Sequence, residues 1–295
     1  MATVGVLTSR AFPQLFSDDQ PLLPLLAAAG FTPEPMVWND SDRETLPELI
    51  LIRTPWDYFE NFPAFLKFLN WTEQSGSRLY NPLSLVRWNL DKRYLAELEG
   101  KGVPIVPTIF IPKGASFWER DNALIQLPWP SSGDGVVIKP TVSAGAFLTS
   151  RVQGDLADVD RTVANVLAVQ SVMIQPFAAE IATEGEISLI YFNDGTGWEL
   201  SHSVLKRTNG ADFRVQSQFG GSESPCDATS DQIAVAEKTL TSLPEPGLYA
   251  RVDLIPWEGS WVLSEVELIE PQLFFRYAAG SPEKFVDAFT KSSRF

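Results

Sequence analysis

Between residues 248 and 275 the chain reads LYARVDLIPWEGSWVLSEVELIEPQLFF, with Arg251 and Asp253 spaced two apart and Glu265 and Glu267 spaced the same way. Residues 249–255 alternate and run into Pro256, and residues 261–269 resume after the turn sequence Glu258-Gly259-Ser260, so the spacing predicts two strands of a hairpin. Side chains two apart on a strand share a face, which puts Glu265 with Glu267 and Arg251 with Asp253. If the two faces coincide, three carboxylates meet at one place. Such a group either holds protons at neutral pH or gathers around a cation. Magnesium suits it, being a hard ion that takes oxygen ligands and leaves coordination positions open for substrate phosphates. The same alternation also describes acids lining the wet face of an antiparallel hairpin.

The elements that would position such a group run through the rest of the chain. Residues 4–8 form a short apolar strand. A helix follows over 22–29, with Ser17-Asp18-Asp19 as its cap region and Gly30 as its stop, and two further strands cover 33–38 and 49–53. Strand, helix and strand with buried apolar runs predict a small parallel α/β lobe. Ligands of such sheets gather at the carboxyl ends of strands, where Arg53, Trp56, Asp57 and Tyr58 lie. A substrate contact explains Arg53, Trp56 and Asp57, and so does a structural Arg–Asp pair with Trp56 packed beneath it.

Residues 62–71 are amphipathic, a strand over 78–80 ends at Asn81-Pro82, a helix covers about 89–99 with Gly100 and Gly102 at its end, and a strand covers 108–111. The loop 128–135 leads into a strand over 136–139. After it the small, polar TVSAGAF suits a mobile segment lying close over a ligand. A helix over 156–168, a buried strand over 172–175, a hairpin of 185–192 with 198–205 around Asn193-Asp194-Gly195, and helices over 231–243 and 282–290 complete the reading, with 213–219 and the loop Gly220-Gly221 between them.

Composition narrows the function classes. The 295 residues are 44% hydrophobic and 20% charged, ordinary for a globular protein long enough for two or three lobes. A net charge of −14 argues against a general affinity for nucleic acid or anionic membrane. The single Cys226 excludes an internal disulfide framework and a cysteine-based zinc site, and the single His202, on an apparent strand with no nucleophile elbow in the chain, argues against a Ser-His-Asp hydrolase. The N-terminal MATVGVLTSR lacks a basic region followed by an apolar run, and no stretch of eighteen apolar residues occurs, so a cytoplasmic location is expected.

In this order the motifs resemble the ATP-grasp superfamily of carboxylate–amine ligases. Lys92 in Asp91-Lys92 is similar to the lysine at a helix start that contacts the nucleotide, and Lys139 in Ile138-Lys139-Pro140 to the second, strand-borne lysine. Met173-Ile174-Gln175-Pro176-Phe177 resembles the hinge whose backbone, around Gln175 and Phe177, hydrogen-bonds the adenine edge. Glu186 resembles the ribose-binding acid, and Thr141 to Ala146, with Ser143 and Gly145, the phosphate loop. Lys206 and Arg214 resemble phosphate or acyl-phosphate contacts, Arg251 the family's arginine, and Asp253, Glu265 and Glu267 its metal ligands, with glutamate where asparagine is frequent. Arg53-Thr54-Pro55-Trp56-Asp57-Tyr58, Asn81-Pro82 and Arg87-Trp88-Asn89-Leu90-Asp91-Lys92-Arg93-Tyr94 are similar to the D-cycloserine synthetase subgroup, which cyclises O-ureidoserine.

The resemblance implies an ATP-grasp fold of the α/β class: an N-terminal parallel α/β lobe (1–85), a central ATP-binding lobe (86–177) and a C-terminal lobe with the metal site (178–295), the latter two α+β and clamping ATP between antiparallel sheets. It implies ATP with two magnesium ions, replaceable by manganese, and an amino-acid-like substrate joined through an acyl phosphate to form an amide, between molecules or by cyclisation. Lys139, Arg214 and Arg251 would stabilise the transferring phosphoryl and the oxyanion. A homo-oligomer is compatible with this reading. A small-molecule kinase on the same scaffold and a nucleotide sensor without turnover are its alternatives.

Overall fold

The computed structural model describes residues 1–127, 133–143, 145, 147–210 and 220–293. Three sheets organise it. In the first, β1 (Thr3–Thr8), β2 (Thr32–Val37), β3 (Leu49–Thr54) and β4 (Arg78–Tyr80) are parallel in the order β2-β1-β3-β4. All six residues of β3 are buried, which a parallel strand achieves when both sheet faces are covered. Helix α1 (Leu22–Ala28) packs Leu22 and Leu26 with Val4 and Val6, and α2 (Phe62–Ser75) packs Phe65 and Leu69 with Ile50 and Ile52.

The chain then passes through α3 (Leu83–Asn89) and α4 (Tyr94–Gly100) to the central sheet, whose strands β5 (Ile109–Ile111), β6 (Val136–Pro140), β7 (Ser150–Val152) and β8 (Val172–Pro176) are antiparallel in the order β5-β8-β6-β7. Helices α5 (Phe117–Ile125) and α6 (Leu156–Leu167) contribute Leu124, Val159 and Val163 to the core with Ile138 and Ile174. After the single turn α7 (Ile181–Glu184) comes the third sheet: β9 (Glu186–Asn193), β10 (Trp198–Arg207), β11 (Ser222–Cys226), β12 (Tyr249–Trp257) and β13 (Ser260–Glu267), antiparallel in the order β11-β10-β9-β12-β13. Helix α8 (Ser230–Thr241) covers one face through Ala236 and Leu240, while α9 (Ser281–Ser292) joins Phe285 and Phe289 to the core of the first sheet. Among the described residues no helix is long and apolar enough to cross a membrane.

Several expectations need correction. The helix expected over 89–99 begins only at Tyr94, as α4; α3 precedes it, ending at Asn89, and Leu90 to Arg93 separate the two. There the Asp91 carboxylate accepts the Arg93 N–H at 3.0 Å, and the Lys92 N–H leaves the helix to bond Thr141 O at 2.8 Å. Ser17-Asp18-Asp19 caps nothing: α1 begins after Pro21 without a side-chain cap, and Asp18 and Asp19 instead meet Arg276 and Arg53. Strand β12 continues through Pro256, which pairs with Trp261, and β13 ends at Glu267 rather than 269. The residues 213–219 lie outside the described set. Helix α5 is absent from the expected elements although its capping box marks it, Ser116 and Glu119 each satisfying the other's backbone N–H, and β7 and β11 are short and irregular in sequence.

Asn81 fastens the first sheet to the third. Its fully buried side chain donates to Leu268 O at 2.7 Å and Tyr249 O at 2.8 Å, and accepts the backbone N–H groups of Leu248 and Tyr249. A Cβ on Gly247 would stand 2.5 Å from Asn81 Oδ1, so the close approach requires glycine there. Asn81→Ala strands these four buried backbone groups and is expected to destabilise the protein by about 3 kcal/mol or more, read as a lower urea midpoint at constant m.

Candidate active site

The central and third sheets face each other across a cavity of about 590 Å³, within the range of small-molecule sites. Register builds its floor. Lys206 on β10 lies opposite Glu186 on β9 and Glu223 on β11; Asp253 on β12 lies opposite Ser188 on β9 and Glu265 on β13; Arg251 lies opposite Glu267. Directly opposed residues share a face, so these polar side chains form one surface, while Ile187, Val252 and Val266 point into the core beneath it. Val137, Lys139 and Gln175 come from the facing sheet. Val106, Phe177, Ala178 and Ile255 add an apolar wall, and Phe16, Trp56, Tyr58 and Phe59 bring aromatic rings from the first lobe.

The floor is a network of opposite charges. Arg251 Nη2 stands 2.9 Å from Asp253 Oδ2 and also pairs with Glu267; Lys206 pairs with Glu186 and lies 3.5 Å from Asp253; Lys92 Nζ is 2.8 Å from Glu265 Oε1 and donates to Ser143 O at 2.8 Å. Burial works against the Asp253 carboxylate, but Arg251 and Lys206 hold its pKa at about 2. Burial raises Glu267 to about 7 against the pull of Arg251, and raises Glu270 to about 8, helped by the charge of Glu267. Among the described residues the half-buried Lys139 pairs with no carboxylate, and desolvation lowers its pKa.

The expected site residues Lys92, Lys139, Ser143, Gly145, Gln175, Phe177, Glu186, Lys206, Arg251, Asp253, Glu265, Glu267, Trp56 and Tyr58 all line this one cavity. Two others do not. Arg53 is fully buried, with Nε 2.7 Å from Asp19 Oδ1 and Nη2 donating to Pro271 O at 2.8 Å, and Asp57 accepts the Trp38 indole N–H at 2.6 Å. The structural alternative describes both, although each residue has a different partner from the one expected. Arg214, Ala144 and Ala146 lie outside the described residues. At the hinge the Phe177 N–H donates to Gly135 O at 3.0 Å, and the Gln175 side-chain amide donates to Thr108 Oγ1 at 2.9 Å.

Magnesium passes a test of donor type. Asp253, Glu265 and Glu267 offer carboxylate oxygens on one surface, the donor type that a hard divalent ion takes. They do not yet form a shell, because each carboxylate is turned to Lys92, Lys206 or Arg251, and among the described residues no three acidic, histidine or cysteine side chains enclose a metal position. Glu270, Glu223, Gln272, Phe16 and Phe59 also line the cavity and had been given no role in the sequence. Glu270 lies beyond the end of β13, where the two-residue period no longer says which way a side chain points.

Residues 4–81 match the family described as D-cycloserine synthetase DcsG, N-terminal domain. Over 298 residues, 98% of this chain and 98% of the relative, the sequence is 30% identical to the cycloserine biosynthesis protein DcsG of Streptomyces lavendulae. The chain belongs to the DcsG family. The crystal structure of D-cycloserine synthetase DcsG superposes with a TM-score of 0.86 at 28% identity, covering 98% of this chain and 99% of that one. A D-alanine–D-alanine ligase from Bacillus anthracis, at TM-score 0.68 and 14% identity over 100% of this chain and 98% of its own, and the ATP-grasp ligase PsnB, at 0.65 and 14% over 99% of each, share the fold. This DcsG-family protein is thus an ATP-grasp ligase that forms a carbon–nitrogen bond.

Proton linkage gives a direct check on the charge network. Glu270 is raised from 4.5 to about 8, so the folded DcsG-family protein holds a proton there that the unfolded chain has lost; that contribution to stability is complete below about 4.5 and disappears as pH rises through 8. In EDTA, the urea midpoint of Glu270→Gln is expected to fall less between pH 5 and 8.5 than that of the wild type.

Proposed function

We propose that the protein is an ATP- and magnesium-dependent ligase that activates the carboxylate of an amino-acid-like substrate as an acyl phosphate and closes an amide bond with a nitrogen of the same molecule. The observation that carries this reading is Lys139, a half-buried cation without a carboxylate partner among the described residues, facing an acidic floor across a cavity large enough for a nucleotide phosphate chain. Such a lysine is stabilised by an incoming anion.

In this reading residues 1–85, 86–177 and 178–295 act as three lobes. Val106, Phe177, Ala178 and Ile255 receive the base, Glu186 the ribose, and Lys92, Lys139 and Lys206 the phosphates, with Ser143 and Gly145 of the loop above them. Arg214 and Arg251 stabilise the oxyanion. Magnesium on Asp253, Glu265 and Glu267, two ions by the number of carboxylates and replaceable by manganese, would supply charge neutralisation at the β- and γ-phosphates. A substrate carboxylate oxygen attacks the γ-phosphorus and ADP leaves; the nitrogen then attacks the acyl carbon, loses a proton, and phosphate leaves. Positioning and preorganised charge do most of this work. The loop shields the acyl phosphate from water, and its Phe147 ring already meets Phe59 of the first lobe at 5.3 Å. Trp56 and Tyr58 face the substrate, with Arg53 and Asp57 behind them. The need for ATP and magnesium is consistent with a cytoplasmic setting.

Phosphate release from ATP, measured with magnesium against a panel of amino acids and ureido amino acids with mass spectrometry of products, tests the reading. Substrate-dependent release with a product lighter by water or ammonia is expected; a phosphorylated product would indicate a kinase, and Mg-ATP binding without stimulated release a sensor. Lys139→Ala and Glu265→Gln are each expected to lower turnover by about a hundredfold or more with an unchanged circular dichroism spectrum.

A further inference from the structure

Beyond β13 the residues 269–274 belong to neither helix nor strand, so their backbone groups must find partners elsewhere. They find them one after another. Five consecutive carbonyls each accept a bond from a side chain: Ile269 O from the Tyr249 hydroxyl at 2.8 Å, Glu270 O from the Trp56 indole at 2.8 Å, Pro271 O from Arg53 Nη2 at 2.8 Å, Gln272 O from Arg251 Nη1 at 3.3 Å, and Leu273 O from His202 Nε2 at 2.9 Å.

The donors trace a path. Arg251 on β12, Ile190 on β9 and His202 on β10 lie opposite one another in a single row of the third sheet, on the face that carries the charged floor. Further on, Arg276 pairs with Glu223 on β11 and with Asp18 of the first lobe. The segment is therefore a strap laid across the sheet from β13 to β11, and its Gln272 and Phe274 line the cavity.

His202, the single histidine of the chain, sits where the pairing of β10 with β9 steps from Leu200 to His202, leaving Ser201 as the extra residue of a bulge. A carbonyl only accepts, so the ring hydrogen is on Nε2, and Nδ1 accepts from the Ser201 hydroxyl at 3.0 Å. Burial lowers the pKa and keeps the ring in this neutral form. Arg251 divides its bonds between the strap and the carboxylates of the floor, so the strap beyond Gln272 depends on His202 and on the Arg276–Asp18 pair.

We propose that His202 is a positioning residue for the ligation: its Nε2–H fixes the strap across the sheet and thereby sets Gln272 and Phe274 in the cavity wall beside Arg251. It acts through the strap and touches no reacting atom. The inference rests on the ligase reading for what fills the cavity and goes beyond it in giving His202 a role.

The test compares His202→Gln, whose amide nitrogen reaches the place of Nε2, with His202→Asn, whose amide reaches only that of Nδ1. Hydrogen exchange of the full chain, followed by mass spectrometry, is expected to be about tenfold faster over residues 269–277 in His202→Asn and near wild type in His202→Gln, with the rest of the chain unchanged in both. In phosphate release with the panel of amino acids and ureido amino acids, His202→Asn is expected to lower kcat/KM for the stimulating substrate by about tenfold at an unchanged KM for Mg-ATP, and His202→Gln to restore it. Wild-type exchange of the strap in His202→Asn, equal effects of the two variants, faster exchange spread over the whole chain, or an equal loss toward Mg-ATP overturns the role. Failure of the ligase reading shows separately, as absence of stimulated release from the wild type; exchange of the strap needs no substrate and still decides the inference.

Discussion

Arg251 cannot be removed from this structure without leaving an unbalanced acid. It is buried on the cavity face of β12, bonded through Nε and Nη2 to Asp253 and in contact with Glu267 on the neighbouring strand. An isolated ion at such a depth costs several kcal/mol, and breaking one buried partner away from another costs nearly as much. The register that sets Arg251 opposite Glu267 and Asp253 opposite Glu265 is therefore held by charge on one side of the sheet and by Val252, Leu254 and Val266 on the other. Without nucleotide or metal, the cations that would meet phosphates serve as counter-ions for the acids that would meet magnesium. Opposite charges interleaved in this way let the protein keep a dense set of acids and bases in one cavity before anything binds there.

The first lobe belongs to the same construction. Asn81 bonds to backbone on both sides of the third sheet's core, Arg53 and Trp56 hold the segment after β13, and Arg276 ties Asp18 in the first lobe to Glu223 on β11. With α9 packed into the first sheet's core, the first sheet and the third share buried apolar contacts as well as these hydrogen bonds.

Much of this was legible in the sequence where periodicity is strict. The alternation of Arg251 with Asp253 and of Glu265 with Glu267 correctly places all four on one face, because a regular hairpin keeps its two-residue period. The lysines Lys92 and Lys139 were visible through the family's motifs, not through any period. What escaped depends on contacts distant in sequence. The break between α3 and α4 exists because the Lys92 amide finds Thr141, and the role of Arg53 depends on Pro271. Glu270 was passed over for the same reason: its place is set by Trp56 and Tyr58.

The register of β12 and β13 slips between Asp253 and Leu254, leaving Ser264 as the extra residue of a bulge. On the near side the strands carry the charged floor; on the far side Ile255 and Val262 pack with Val106 and Ala178, and the hairpin turns at Glu258-Gly259. A bulge absorbs a one-residue mismatch, so a change of length beyond it re-aims only the apolar end. The apolar wall of Ile255 and Val262 is thus mechanically uncoupled from the charged floor, whose alignment a change of length at the hairpin tip does not reach.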